Sequence, residues 1–236
     1  MLLALWSPKG GSGTSVVAAA LALVASGRGE TRLADLGGDQ PAILGLLPLP
    51  PDPVGSGGGL VTWLSAGPSA PTQWLDDMAL PVVPGLALLP RGPGLLGDAL
   101  PEAGAALAIA LRDGGVTVLD AGAEAAPATR AAVEVADAAL MVVRPCYLAL
   151  RRAVGDPRLA RSCGTVLVDE PGRALDADDV AAVLGRPVIG RFPVRAEIAR
   201  AVDAGVLRDR LPAPLATTAA AVLGGLGAAA GGRWAA

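Results

Sequence analysis

Histidine and asparagine are absent from this sequence of 236 residues, and several other residue types are scarce. Only two cysteines occur, Cys146 and Cys163, and aromatic residues make up 3% of the chain. Without histidine, neither a Ser-His-Asp nor a Cys-His mechanism can operate. The two cysteines lack CxxC spacing, so we expect reduced thiols rather than a disulfide or a zinc site.

Excess positive charge is also lacking. The formal net charge is −3 and the sequence pI is about 5.0, so no overall positive field attracts DNA or an anionic membrane. The mean hydropathy is +0.51, but the weakly apolar tail at 215–232 is broken by glycines, and we interpret it as a packed terminal helix. The chain begins on a strand-like run without a basic leader. We therefore expect a cytoplasmic protein with no direct membrane anchor and no direct DNA binding.

Short apolar runs alternate with alanine-rich stretches along the chain. The strand-like runs are 2–6, 31–36, 86–90, 116–120, 139–143, 165–169 and 187–192. This alternation predicts βαβ units, that is, an α/β fold with a mainly parallel, twisted sheet and helices on both faces. Two stretches rich in proline and glycine, 48–59 and 90–97, are interpreted as loops inside one domain that spans residues 1–236.

A glycine-rich turn follows the first apolar run. Residues 7–15 have the sequence SPKGGSGTS, between MLLALW and VVAAALALVA. A turn that joins a strand to a helix gathers backbone N–H groups and a helix N-terminus around one point, which suits phosphate groups. The usual phosphate-binding loop, GxxxxGK[ST], ends in a lysine and a hydroxyl residue. Here Thr14 replaces the lysine and Ser15 keeps the hydroxyl, so the pattern alone also leaves a purely structural turn open.

The only lysine of the chain lies in this turn. Of the 19 cationic residues, 18 are arginine, and the remaining one is Lys9. Lysine is a compact, strongly hydrated point charge that can reach into a phosphate site. The position of Lys9 therefore favours phosphate binding over a purely structural turn.

The order of residues from Lys9 to Ser15 resembles the deviant Walker A loop, KGGxGK[ST], of the MinD/ParA family of P-loop ATPases. Four later segments resemble that family in the same order: the second strand with its acidic switch, the Walker B strand, the next strand ending in proline, and a proline-then-helix segment that lines the base. These segments are 31–46, 116–122, 139–145 and 191–205. The resemblance covers most of residues 1–212.

The resemblance implies a three-layer P-loop NTPase fold that binds ATP with Mg²⁺. The loop residues that would wrap the phosphates are Gly10, Gly11, Ser12, Gly13, Thr14 and Ser15. It also implies that Ser15 and Asp120 hold Mg²⁺ and that Lys9 reaches across a homodimer to the partner's nucleotide. Asp35 would position the attacking water, and Pro193 would line the base.

Several of these residues also have structural interpretations. Asp35 and Asp120 end strand-like runs, where an aspartate can serve as a helix cap or a turn residue. Asp39 is interpreted as a turn residue. A basic stretch is interpreted first as a solvated face and second as a surface for a partner or a dimer. It contains Arg144, Arg151, Arg152, Arg158 and Arg161.

Two departures from the family pattern bear on function. Thr14 removes the charge that normally meets the β- and γ-phosphates, which implies weak binding or slow hydrolysis. Relatives often use an asparagine to recognise adenine, whereas this chain has Asp169 and Glu170 at that place. A loop without this lysine resembles most closely the CpaE/TadZ branch linked to pilus assembly, and also the BcsQ group linked to cellulose secretion.

Three functions remain open from the sequence. The first is an ATP-dependent dimeric organiser that recruits a protein partner and hydrolyses ATP slowly. The second is a non-hydrolysing pseudo-ATPase scaffold of a CpaE/TadZ-like pilus or secretion system. The third is an iron–sulfur ATPase that would use Cys146 and Cys163 in a cluster bridging a dimer. The presence of Lys9, Asp35 and Asp120 together favours the first, because a pure scaffold has no need of all three.

Overall fold

The computed structural model describes residues 1–46, 58–113 and 115–229. The strands are β1 (Leu2–Trp6), β2 (Thr31–Asp35), β3 (Leu80–Val83), β4 (Leu86–Leu89), β5 (Val116–Asp120), β6 (Ala138–Val143), β7 (Ser162–Asp169) and β8 (Val188–Pro193). The helices are α1 (Thr14–Ser26), α2 (Gln40–Ile43), α3 (Leu60–Ser65), α4 (Gln73–Asp77), α5 (Pro101–Ala110), α6 (Pro127–Val135), α7 (Tyr147–Val154), α8 (Arg158–Arg161), α9 (Ala177–Leu184), α10 (Ala196–Asp203) and α11 (Ala213–Ala229). A single 3₁₀ turn at Leu96–Asp98 completes the regular structure of the described residues.

The eight strands form one sheet in the order β3-β4-β2-β5-β1-β6-β7-β8. Neighbouring strands are parallel except for β3 and β4 at one edge. The connection from β1 passes over β5 to reach β2, whereas the connection from β5 passes over β1 to reach β6 on the other side. Ligand crevices form at such a reversal, beside the carboxyl ends of the strands. In this chain that place is the end of β1.

The side chains of β1 are all buried and divide between two hydrophobic cores. Leu2, Ala4 and Trp6 pack in one core with α3 to α7 and α9. Leu3 and Leu5 pack in the other core with α1, α10 and α11. Helices therefore cover both faces of the sheet, as the sequence predicts.

All seven predicted strands are present, and β3 is an eighth that the sequence pattern did not indicate. This strand is short and contains Pro81, which argues against a central position but suits an edge strand. The predicted loop at 90–97 lacks regular structure until the 3₁₀ turn begins at Leu96. Residues 48–57 of the other predicted loop lie outside the described residues.

The C-terminal helix packs onto the body of the fold. Leu215, Ala219 and Val222 of α11 are buried in the core that contains α1. The interpretation of this stretch as a packed helix is therefore confirmed up to residue 229. Among the described helices, none combines the length and the apolar character that a membrane span requires.

Gly104 allows α5 and α6 to pack closely, because a Cβ atom there would overlap the carbonyl oxygen of Ala128. We expect Gly104→Ala to lower the free energy of unfolding by about 1–3 kcal/mol through overpacking. Gly225→Ala is the matched control, since an added methyl group at that position in α11 meets nothing within 4 Å. The control should raise the free energy of unfolding by about 0.5–1 kcal/mol, the usual effect of alanine in an exposed helix. Urea unfolding measures both, and a Gly104→Ala protein as stable as the parent would contradict the close packing.

Candidate functional site

The loop after β1 folds onto its own backbone. The hydroxyl groups of Ser7 and Ser12 both donate to the carbonyl oxygen of Lys9, at 3.0 and 2.7 Å. Gly11 and Gly13 have φ angles of 74° and 87°, a region that glycine enters at little cost. The glycines of the predicted phosphate loop are therefore the residues that allow its shape.

Helix α1 begins after this loop without a side-chain cap. The N-cap residue is Gly13, and the first backbone hydrogen bond joins the N–H of Val17 to its carbonyl oxygen at 3.0 Å. The N–H groups of the first three helical residues, 14–16, have no acceptor within the helix. These groups and the positive end of the helix dipole are available to an anion.

The uncapped helix end borders a cavity of about 720 Å³. Residues 10–16 form one side of it, and other lining residues include Gly37, Asp39, Glu124, Arg144 and Asp203. The volume lies in the range of cavities that hold small molecules and cofactors. Thr14 lines the cavity and is almost fully buried, so the position of the missing lysine faces the cavity with no charge.

Asp120, at the end of β5, lies next to the hydroxyl residue of the loop. Its carboxylate accepts hydrogen bonds from the backbone N–H of Gly122 at 3.0 Å and from the side-chain amide of Gln40 at 2.8 Å. The side chain of Ser15 also hydrogen-bonds to it. Burial raises the pKa of Asp120, and these three hydrogen bonds oppose that rise.

Asp35, at the end of β2, is paired in register with Asp120 on the adjacent strand. Its two carboxylate oxygens accept from the backbone N–H groups of Gly38 at 2.6 Å and Gln40 at 3.1 Å. Burial, followed by the charge of Asp120, raises the pKa of Asp35 to about 7. Asp35 is fully buried and is not among the residues that line the cavity, whereas its neighbour Asp39 is.

The pairing of Ser15 with Asp120 fits a magnesium ion held jointly with phosphate groups. Mg²⁺ prefers oxygen ligands and is usually bound by one or two carboxylates together with phosphates and water. Within the described residues, no three His, Cys, Asp or Glu side chains converge as a closed metal site. The buried Oε1 atom of Gln40 lacks a hydrogen-bond donor, so it would offer an acceptor to an ordered water there.

Lys9 lies on the outside of the loop. Its residue is exposed, and it is not among those that line the cavity. The charge of Lys9 is therefore directed to solvent or to another molecule rather than to the space beside α1.

A second, mainly apolar cavity of about 250 Å³ adjoins the first. Pro193, Phe192 and Val168 are among its lining residues, and Gly13 and Arg144 belong to the walls of both cavities. The structure thus brings Pro193 to the site, in a cavity whose wall also includes Gly13 of the loop. Asp169 and Glu170 do not line either cavity. They pair with Arg191 and Arg173, respectively.

Gln40 is a central residue of the site that the sequence analysis did not identify. It is fully buried, and its side-chain amide donates to the carbonyl oxygen of Ser15 at 2.9 Å as well as to Asp120. The chain contains only one other glutamine, Gln73. Because glutamine is scarce in this chain, its occurrence directly after the acidic turn at Asp39 was the signal that could have identified Gln40.

The interpretation of the basic stretch as a solvated face is correct for Arg151, Arg152 and Arg161, which are exposed. It is wrong for Arg158, which is 4% exposed and lies 4.4 Å from the ring centre of Trp6. Arg158 also pairs with Asp156 at 2.7 Å. Burial of the Arg158 side chain is favourable because the Trp6 ring and the Asp156 carboxylate replace water around the guanidinium. Arg144 is half-buried at the junction of the two cavities.

Solved structures of known proteins share this architecture. A ParA family ATPase from Chlorobium tepidum TLS is similar with a TM-score of 0.73 and 22% identity, over 92% of this chain and 95% of that one. The septum site-determining protein MinD from Pyrococcus horikoshii OT3, complexed with Mg-ADP, has a TM-score of 0.75 and 18% identity over 98% of both chains. The MinC:MinD cell division protein complex from Aquifex aeolicus has a TM-score of 0.69 and 19% identity, over 95% of this chain and 94% of that one.

Neither a model of a known protein family nor a curated protein matches the sequence. At identities of 18–22%, the structural likeness establishes the fold. The chain therefore has the three-layer fold of the MinD/ParA family of P-loop ATPases, as predicted from the sequence.

The buried pair of Asp35 and Asp120 should make stability depend on pH. Their raised pKa values mean that the folded state binds protons more tightly than the unfolded state, where aspartate titrates near 3.8. The stabilisation that Asp35 contributes is fully present below about pH 4 and is lost as the pH rises through about 7, and the raised pKa of Asp120 acts in the same direction. With nucleotide and Mg²⁺ removed, we expect the free energy of unfolding to fall between pH 5 and pH 7, by up to about 1.4 kcal/mol per pH unit for each proton.

Urea unfolding at several pH values measures this slope, and histidine cannot contribute because the chain has none. Asp35→Asn removes the group with the pKa of about 7 and should flatten the slope, whatever its effect on absolute stability. A free energy of unfolding that stays constant or rises from pH 5 to pH 7 would contradict the prediction.

Proposed function

We propose that this chain is a single-domain, MinD/ParA-like protein that binds ATP with Mg²⁺ and acts as a dimeric spatial organiser with weak or slow ATPase activity. The observation that carries the proposal is the uncapped start of α1, which opens with its glycine loop onto a cavity of about 720 Å³. The similar fold of a MinD protein complexed with Mg-ADP supports this class of ligand.

The two cavities suggest how a nucleotide would be divided between them. Phosphate groups would lie against the N–H groups of residues 10–15, and the base would enter the apolar cavity beside Pro193. Ser15 and Asp120 would hold the Mg²⁺, which neutralises phosphate charge when bound. The resident side chains thus supply binding and orientation, which are the main requirements of phosphoryl transfer.

The exposed position of Lys9 supports a role between two copies of the chain. A charge outside its own cavity is free to reach the nucleotide of a second subunit. The ATP-bound homodimer would then recruit a protein partner, and the MinC:MinD complex is an example of such an assembly on this fold. Because the chain is acidic, we propose a cytoplasmic protein that reaches any membrane through that partner. Co-sedimentation with anionic vesicles, or a shift of non-specific DNA, would contradict this route.

Slow turnover follows from two features of the site. Thr14 provides no charge for the phosphates, and Asp35 would position an attacking water only if the loop at 36–40 moved. The uncharged Thr14 position also favours the alternative of a non-hydrolysing pseudo-ATPase scaffold in a CpaE/TadZ-like pilus or secretion system. Measured hydrolysis of bound ATP separates the two functions.

Thr14→Lys tests the phosphate assignment. A lysine at this lining position would add a charge-assisted contact, typically worth about 1.5–3 kcal/mol. The affinity for ATP should therefore rise by a factor of about ten or more. Calorimetry with ATP, ADP and GTP in the presence of Mg²⁺ measures the change, and hydrolysis is followed in parallel. Thr14→Gln is the control because it adds length without charge. An absence of ATP binding by the wild type at millimolar concentration would refute nucleotide binding, and unchanged affinity in folded Thr14→Lys would favour the scaffold.

Lys9→Ala tests the proposed contact between subunits. Since Lys9 lies outside its own cavity, its removal should reduce ATP-dependent dimerisation strongly and leave the affinity of the monomer for ATP nearly unchanged. Arg28→Ala, which removes an exposed cation beyond the other end of α1, is the matched control. Sedimentation velocity with and without ATP measures the dimer fraction. Equal dimer fractions for the wild type and Lys9→Ala would exclude the contact.

A further inference from the structure

Arg144 lies beside the phosphate loop although it is far from it in sequence. It directly follows β6, which pairs with β1 so that Met141 is in register with Trp6. Both strands therefore end at the same edge of the sheet, and Arg144 borders both the larger and the smaller cavity. Arg144 therefore lies at the junction of the two spaces.

The guanidinium of Arg144 has no partner among the described residues. Its Nε atom is buried without a hydrogen bond, and no described carboxylate forms an ion pair with it. Glu170 is near enough for Arg144 to contribute to its lowered pKa, but the main cause is the hydrogen bond from Arg173, which holds Glu170 at 2.8 Å. By contrast, the buried Arg158 is paired with Asp156. A half-buried arginine left unpaired is costly unless a ligand completes it.

Among the described residues, Arg144 is also the only cation in the wall of the larger cavity. The other charged residues of that wall are Asp39, Glu124 and Asp203. Without Arg144, a polyanion would meet three carboxylates there and only the backbone N–H groups of the loop and helix as attraction. The normal source of positive charge is absent, because Thr14 is neutral and Lys9 lies outside.

We propose that Arg144 supplies the positive charge for the nucleotide's phosphate groups that Thr14 does not. The inference rests on the proposed function, since it assigns a recognition residue to the same site. The planar guanidinium can donate two parallel hydrogen bonds to phosphate oxygens. The loop then keeps its backbone contacts, while the charge comes from the end of β6.

The test compares ATP, ADP and adenosine binding to wild type and Arg144→Gln, by calorimetry with Mg²⁺ present. We expect ATP to bind about ten- to a hundredfold more weakly to the variant, as for the loss of a charge-assisted contact. Adenosine, which has no phosphate, should bind both proteins equally. The substitution should leave the fold intact, because it removes no described hydrogen bond or ion pair of the side chain.

Arg151→Gln is the matched control, since Arg151 is exposed on the same basic stretch and lines neither cavity. ATP affinity that is unchanged in Arg144→Gln, or adenosine affinity that falls as much as ATP affinity, overturns the inference while leaving nucleotide binding intact. A wild type that binds neither ATP nor ADP refutes the proposed function itself, and the inference with it. If Arg144→Gln does not fold, Arg144→Lys replaces it, and this variant should keep most of the preference for ATP over adenosine.

A double variant gives a second readout. If one charge can replace the other, Thr14→Lys should improve ATP affinity more in the Arg144→Gln background than in the wild type. Equal gains in the two backgrounds would show that the two positions act on different parts of the ligand and would overturn the inference.

Discussion

Gln40 joins the three segments that build the site. Its amide group donates to the carbonyl oxygen of Ser15 in α1 and to the carboxylate of Asp120 at the end of β5, and its backbone N–H donates to Asp35 at the end of β2. The contacts with the two carboxylates are buried, and an unsatisfied polar group in such a place costs about 1–3 kcal/mol. Strand pairing places the two carboxylates side by side, and Gln40 connects them to the start of α1.

These hydrogen bonds do not neutralise the charges of the two buried carboxylates at the site. Asp35 and Asp120 are side by side on adjacent strands, and the hydrogen bonds that stabilise them come from neutral groups. Neutral donors offset only part of the cost of burying two carboxylates, which is why both pKa values are raised. A divalent cation beside Ser15 would remove much of this repulsion. The arrangement is thus better suited to a metal and polyanion together than to either one alone.

The residues that could be identified from the sequence are those that belong to a short local sequence pattern. Gly11 and Gly13 were identifiable because a tight turn before a helix needs glycine, and Asp120 because the segment that contains it resembles the Walker B strand. Gln40 and Arg144 could not be identified in this way. Their contacts at the site involve strands that are distant in sequence and lie close together only in the folded sheet. The interpretation of Arg158 as a solvated residue was wrong for the same reason. The sequence alone does not show that its guanidinium stacks on Trp6. The edge strand β3 escaped detection because four residues with a proline carry little periodic signal.

The central place of β1 has a consequence for how the protein is made. Its two neighbours, β5 and β6, begin 110 and 132 residues after β1 ends. At ordinary rates of translation, on the order of ten seconds pass before the ribosome has produced the first of them. During that time the nascent chain carries an apolar strand and the alanine-rich α1 without the sheet that buries them. Long-range pairing of this kind forms slowly, and it leaves apolar segments exposed to aggregation until the sheet is complete.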